Sequence, residues 1–99
     1  MHGVSTEKVP GGKLLRVKVD YSATIKRVSI TGDFFLHPEE AIEKIELSLK
    51  GLNANESEQS IAGIIKEVAT RHDIDMIGVD PEAIARNVKK AIHEGEASV

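Results

Sequence analysis

From residue 13 onward the chain first alternates and then changes period. Over KLLRVKVD, Leu15, Val17 and Val19 fall on one side and Leu14, Arg16, Lys18 and Asp20 on the other, the two-residue period of a strand with one buried face. A turn follows at Tyr21, Ser22 and Ala23, and TIKRVSIT then sets Val28 and Ile30 in alternation. Ile25 has the opposite parity, which predicts a bulge or an early strand start. Together these segments predict a hairpin over residues 13–31. A lone hairpin is marginal in water, so other elements must cover its apolar face.

A helical period replaces the alternation after residue 37. Pro38 suits a first helical position, Glu39 and Glu40 suit the positive end of the dipole, and Lys50-Gly51 is a stop, which predicts a helix over residues 38–50. Its inward face is Ala41, Ile42, Ile45 and Leu49, and Leu47 points away with no core to enter. Asn55 with Glu58 resembles a capping box, and Ile61, Ile64, Ile65, Val68 and Ala69 form the stripe of a second helix over residues 56–71. Residues 73–79 are expected to be a loop. Asp80-Pro81-Glu82 is an N-cap with a first-turn proline, and Ile84, Ala85, Val88, Ala91 and Ile92 share a face up to Gly95, so a third helix is expected over residues 81–94. Residues 1–12 show neither period and contain Pro10-Gly11-Gly12, which predicts an N-terminal arm ending in a turn. A hairpin followed by helices is α+β: a small antiparallel sheet covered by about three helices.

Length and composition narrow the picture. Ninety-nine residues suit a single domain, 1–99, and with aromatics at 3% the core must be built from Ile, Val, Leu and Ala. Such a domain is marginally stable on its own, which makes a permanent partner reasonable. The net charge of −3 argues against nucleic acid as a ligand. What basic clustering there is (Lys8, Lys13, Arg16, Lys18, Lys26 and Arg27) lies in the first third and gives the domain a basic end. The absence of Cys excludes disulfides, thiolate metal sites and thiol catalysis. No apolar run is long enough for a membrane span or a signal peptide, so a cytoplasmic protein is expected.

Most candidate chemistry falls away on inspection. His2, His37, His72 and His93 include no i, i+4 pair, so no metal site is expected, and the carboxylates fit solvent faces of helices better than an acid–base pair. Ser57 and Ser60 suit helix capping rather than nucleophilic catalysis. VPGGK could present backbone N–H groups and a lysine to phosphate, but Lys13 is followed by Leu14 and leads into a strand, unlike a Walker A loop. A turn with a solvent lysine is the plainer account.

Two stretches taken together resemble a family. K-x-P-G-G-K-L (Lys8, Pro10, Gly11, Gly12, Lys13, Leu14), then a hairpin, then I-T-G-D-F-F (Ile30–Phe35) with P-E-E (Pro38–Glu40), is similar to the C-terminal accessory domain of lipoate–protein ligases, which in some microbes is a separate small chain. The resemblance implies an α+β fold like Fe–S scaffold domains, here without cysteines to hold a cluster. It implies a non-catalytic accessory subunit in a heterodimer. The large subunit would bind lipoate and ATP with Mg, form lipoyl-AMP, and pass the lipoyl group to a lysine of an acceptor protein; no cofactor is expected on this chain. Adenylation develops negative charge on phosphate oxygens that a positioned cation can stabilise. Lys13 is the first candidate for that cation and Lys8 the second, and Lys8, Gly11, Gly12, Lys13, Asp33 and Phe35 are the candidate partner or adenylation-support residues. The alternative is a non-enzymatic binding module or homodimer using exposed Leu47 and Phe35.

The two phenylalanines divide by parity. Phe34 shares the parity of Val28 and Ile30 and is expected to complete the core, whereas Phe35 points outward, with Asp33 fixing the turn before them.

Overall fold

The alternating segment that begins at Lys13 is the central strand of a three-stranded antiparallel sheet in the computed structural model, which describes residues 1–9, 11 and 13–97. This strand, β2 (Lys13–Tyr21), pairs with β3 (Ile25–Gly32) on one side and with β1 (His2–Val9) on the other. Leu15, Val17 and Val19 are buried, as the alternation predicts. The parity break at Ile25 is a bulge: Asp20 pairs with Arg27 but Tyr21 with Ile25, which leaves Lys26 as the extra residue. Tyr21, expected in a turn, instead ends the strand in the core and donates its hydroxyl to the Ile92 carbonyl at 2.8 Å.

β1 overturns the expected N-terminal arm. Its inward positions are Gly3, Ser5, Glu7 and Val9, opposite Val19, Val17, Leu15 and Lys13, so no apolar alternation announces it. The physical reason is the third helix, α3 (Pro81–Ala97), which crosses it at close range. A Cβ on Gly3 would lie 1.8 Å from the Ala91 carbonyl oxygen and 2.9 Å from the Gly95 nitrogen. Gly95 serves the same approach, since a Cβ there would lie 2.6 Å from the Tyr21 hydroxyl. Gly95 is therefore inside the helix rather than its stop. Further along, polar groups replace apolar ones. Ser5 donates to Asn87 Oδ1 at 2.6 Å, Asn87 donates to the Ala83 carbonyl at 2.8 Å, and Glu7 accepts from Arg86 Nε and Lys90 Nζ, each at 2.9 Å. Hydrogen bonding by Arg86 outweighs desolvation and, with Lys90, holds the Glu7 carboxyl at about 2, well below the ordinary 4.5.

The first helix, α1 (Ala41–Leu49), starts three residues later than its proline suggests. Pro38 follows a cis peptide and sits in a turn whose carbonyl accepts from Ala41 N at 3.0 Å. Residues just before it form a short strand, β4 (Phe35–His37), and Glu40 occupies the N-cap without a side-chain bond. Ala41, Ile45 and Leu49 are buried, Ile42 packs at the core's edge, and Leu47 is 68% exposed. The second helix, α2 (Glu58–Arg71), is capped by Ser57, which accepts from Ser60 N at 3.1 Å. Asn55 is not its cap; the Asn55 N–H donates to Asn53 Oδ1 at 2.8 Å in the preceding turn. α3 begins as predicted, with Asp80 Oδ1 accepting from Ala83 N at 2.7 Å.

The expected loop over residues 73–79 contains a strand, β5 (Asp75–Ile77), paired antiparallel with β4 as Phe35 to Ile77, Leu36 to Met76 and His37 to Asp75. Three residues are too few to display a period. All three helices lie on one face of the larger sheet, where their buried residues and the inward side chains of β1–β3 form one core. No helix among the described residues is long and apolar enough to cross a membrane.

Candidate functional site

Backbone contacts bring the two motif stretches to one end of the sheet. Lys8 and Lys13 flank the β1–β2 turn, where Gly11 adopts φ +97° and is open to solvent. Gly12 lies outside the described residues. The Asp33 backbone N–H donates to the Leu14 carbonyl at 2.9 Å, tying the end of β3 to the start of β2. Gly32 is required in this tie, because a Cβ on it would lie 2.1 Å from the same carbonyl oxygen. It is thus the Asp33 main chain that fixes the turn; the exposed carboxylate makes no hydrogen bond or ion pair among the described residues.

Strand parity separates the two lysines. Lys8 is opposite Leu14 and points to the open face of the sheet, whereas Lys13 is opposite Val9 and points to the helical side. There its stem packs over Gly78: a Cβ on that glycine would lie 3.0 Å from Lys13 Cγ and 3.6 Å from Phe34 Cβ. The Lys13 ammonium, having no partner among the described residues, is presented at the border between sheet and helices. Lys8 and Lys13 therefore serve different surfaces.

Beside Lys13 lies the apolar part of the site. Phe35 is 70% exposed and its cross-strand partner Ile77 is 60% exposed, so two large side chains stand together on the outer face of the β4–β5 ribbon. Leu36 and Met76, one position along, turn inward and pack on the core. Phe34 is half-buried at the core's border rather than in its centre. A shallow cleft of about 330 Å³ runs from Phe35 past Phe34, Gly32 and Ile30 to Ile42. Ile77 and Gly78 complete this site and were not identifiable from periodicity. Their one signal is the run Met76-Ile77-Gly78-Val79.

The arrangement suits docking more than enclosure of a reactant. Two exposed apolar residues beside an unpaired ammonium form a surface, and among the described residues no group of three or more His, Asp or Glu could hold a metal ion. Glu46, half-buried in a separate groove between α1 and β3, accepts the Ile30 N–H at 2.8 Å; desolvation pushes its carboxyl up, against that hydrogen bond. It holds the edge of β3.

No protein-family model matches the chain, and no curated protein matches it either. Among solved structures it is similar to one chain from Thermoplasma acidophilum, described as an archaeal lipoylation system comprising a bi-partite lipoate protein ligase and its E2 lipoyl domain. The similarity has a TM-score of 0.69 and 29% sequence identity. It covers 89% of this chain and 97% of that one. The relative is therefore itself a small chain, matched nearly end to end.

Proposed function

We propose that this chain is the accessory subunit of a two-chain lipoate–protein ligase, required with a large subunit for ATP-dependent conversion of lipoate to lipoyl-AMP before transfer to a lysine of an acceptor protein. The observation that carries the reading is the end-to-end similarity to a small chain of a lipoylation system that comprises a bi-partite lipoate protein ligase and its E2 lipoyl domain. The convergence of both motif stretches on one end of the sheet supports it. In this reading Phe35 and Ile77 anchor the large subunit, since exposed aromatic and aliphatic side chains become energetic centres of an interface once a partner dries them.

The chain's chemical contribution is then electrostatic. Docking at the β4–β5 ribbon would bring the Lys13 ammonium, held by its stem over Gly78, against the large subunit. A cation fixed there favours the negative charge that develops on phosphate oxygens as the carboxylate of lipoate attacks the α-phosphate and pyrophosphate leaves. Lipoate and ATP with Mg are substrates of the large subunit; this chain holds neither.

The test is lipoyl-AMP formation by the large subunit with and without this chain. Adenylate formed at an equal rate in its absence rejects the accessory role. A lipoyl mass increment on Lys8 or Lys13 would instead make the chain an acceptor. A homodimer through exposed Leu47 is the second reading, favoured by its 68% exposure beside a groove between α1 and the edge of β3, and sedimentation of the chain alone distinguishes it.

A further inference from the structure

The three-stranded sheet has helices on one face and none on the other. Parity places Lys8, Arg16, Lys18 and Arg27 on this open face with a single carboxylate, Asp20. The face thus carries +3 on a chain of formal charge −3, so everything off it sums to −6. None of the four cations forms an ion pair among the described residues, although Lys66, Arg71, Arg86 and Lys90 on the helices all do. Between Val4, Lys18, Asp20, Arg27 and Ser29 the face is hollowed by a depression of about 290 Å³. A field this one-sided attracts an acidic partner and speeds its encounter.

We infer that the open sheet face is a transient docking surface for an acidic patch on the acceptor protein, separate from the Phe35–Ile77 end that holds the large subunit. The inference rests on the proposed ligase reading. Its partner follows from the chemistry of the two surfaces. A permanent subunit is held by apolar burial, and the exposed Phe35 and Ile77 supply that. An acceptor must arrive and leave in each turnover, which suits charge steering with little apolar anchorage, and the large exposed apolar residue on this face, Leu14, lies at its turn end and not among the cations at its middle. Nucleic acid is disfavoured because the chain as a whole carries −3 and the face has no Phe, Tyr or Trp on which a base could stack, His2 at the start of β1 being its one imidazole.

Initial rates of lipoyl transfer by the complete two-chain ligase, measured against acceptor-domain concentration at low and high ionic strength, test the inference. With the wild-type chain the KM for acceptor rises with salt. Arg16→Glu with Lys18→Glu raises the low-salt KM about tenfold or more and flattens its salt dependence, while lipoyl-AMP formation, binding to the large subunit and melting temperature stay as in wild type. Arg16→Gln with Lys18→Gln gives an intermediate KM. An unchanged KM overturns the inference, as does a loss of large-subunit binding, which would assign the face to that subunit. So does preference of the face for a single-stranded oligonucleotide, or salt-sensitive self-association lost in the same variants. Failure of the wild-type chain to stimulate lipoyl-AMP formation is a different result: it removes the ligase reading, and this inference with it.

Discussion

In the proposed two-chain ligase, truncating Phe35 should weaken association with the large subunit while scarcely disturbing the fold. A Phe side chain presents about 150–250 Å². With the residue 70% exposed, roughly two-thirds of that area awaits a partner, about 100–175 Å², worth about 2.5–4 kcal/mol at about 25 cal/mol per Å². Ala retains part of it, so Phe35→Ala should cost about 2–3 kcal/mol, or roughly 30- to 150-fold in Kd. Only about a third of the side chain is buried within the chain, so the isolated chain should lose about 1 kcal/mol, a fall of a few degrees in melting temperature. Ile77→Ser should give a smaller loss of affinity, and because the two residues are cross-strand partners their effects should not add. Calorimetric titration of the large subunit with each variant, beside thermal melts of each variant alone, reads both quantities. An unchanged Kd with a melting temperature lowered by ten degrees or more would refute the reasoning and put Phe35 in the core.

Lys13→Met keeps the stem over Gly78 but removes the charge, so lipoyl-AMP formation by the two-chain ligase should fall about tenfold or more with association intact; an unaltered rate confines Lys13 to packing. Gly3→Ala forces a Cβ against the Ala91 carbonyl and should destabilise the chain by about 3 kcal/mol, read by urea unfolding, whereas Gly63→Ala within α2, with nothing near its Cβ and no positive φ, should cost nothing. Glu7 has a folded value of about 2 against the ordinary 4.5, so the unfolded chain binds its proton first as pH falls. The Glu7 contribution is therefore complete above pH 4.5 and drains away between there and about pH 2; after allowance for its partly exposed partners it is about 1–2 kcal/mol. Glu7→Gln should remove that part of the acid dependence, and equal acid sensitivity in the variant would show that other carboxylates carry it.

The legible parts of the fold are those in which burial is paid for by apolar side chains at a regular period. β2 and β3 alternate over eight or nine residues, and α2 and α3 carry full stripes. Even the parity break at Ile25 marks a real bulge. The rest was hidden where contact replaces hydrophobicity. β1 faces a helix so near that Gly3 must be small, and its next inward residues are Ser5 and Glu7, satisfied by Asn87, Arg86 and Lys90 some 80 residues away. Such partners cannot be matched from a local pattern. β4 and β5 are hidden by brevity, since each has three residues and exists by pairing with the other across the chain. Pro38 misled because a proline signals the first helical turn only when the preceding residues are free to enter it, and here they belong to β4.

The candidate site was legible as words and illegible as geometry. K-x-P-G-G-K reads as one basic turn, and proximity in sequence suggests two lysines acting together. Strand pairing forbids that. Lys13 opposite Val9 has the parity of Leu15 and Val17, so it points toward the helices and settles beside Phe34, whereas Lys8 opposite Leu14 has the parity of Arg16 and Lys18 and joins the open face. A turn of fixed length therefore links two surfaces of different character, one apolar with a single cation and the other broadly basic. Because the side-chain period is two, a one-residue slip of β1 against β2 would exchange the faces of Gly3, Ser5 and Glu7 and break every contact they make with α3. The contacts that hold β1 under the helix also hold Lys8 on the opposite face. On this reasoning Gly3→Ala should perturb Lys8 as well as stability: by shifting β1 it should alter the amide chemical shift of Lys8, five residues away, while leaving that of Gly63, exposed on α2, in place. A Gly3→Ala spectrum with Lys8 unmoved would uncouple the strand's two faces and leave the turn as a simple connector.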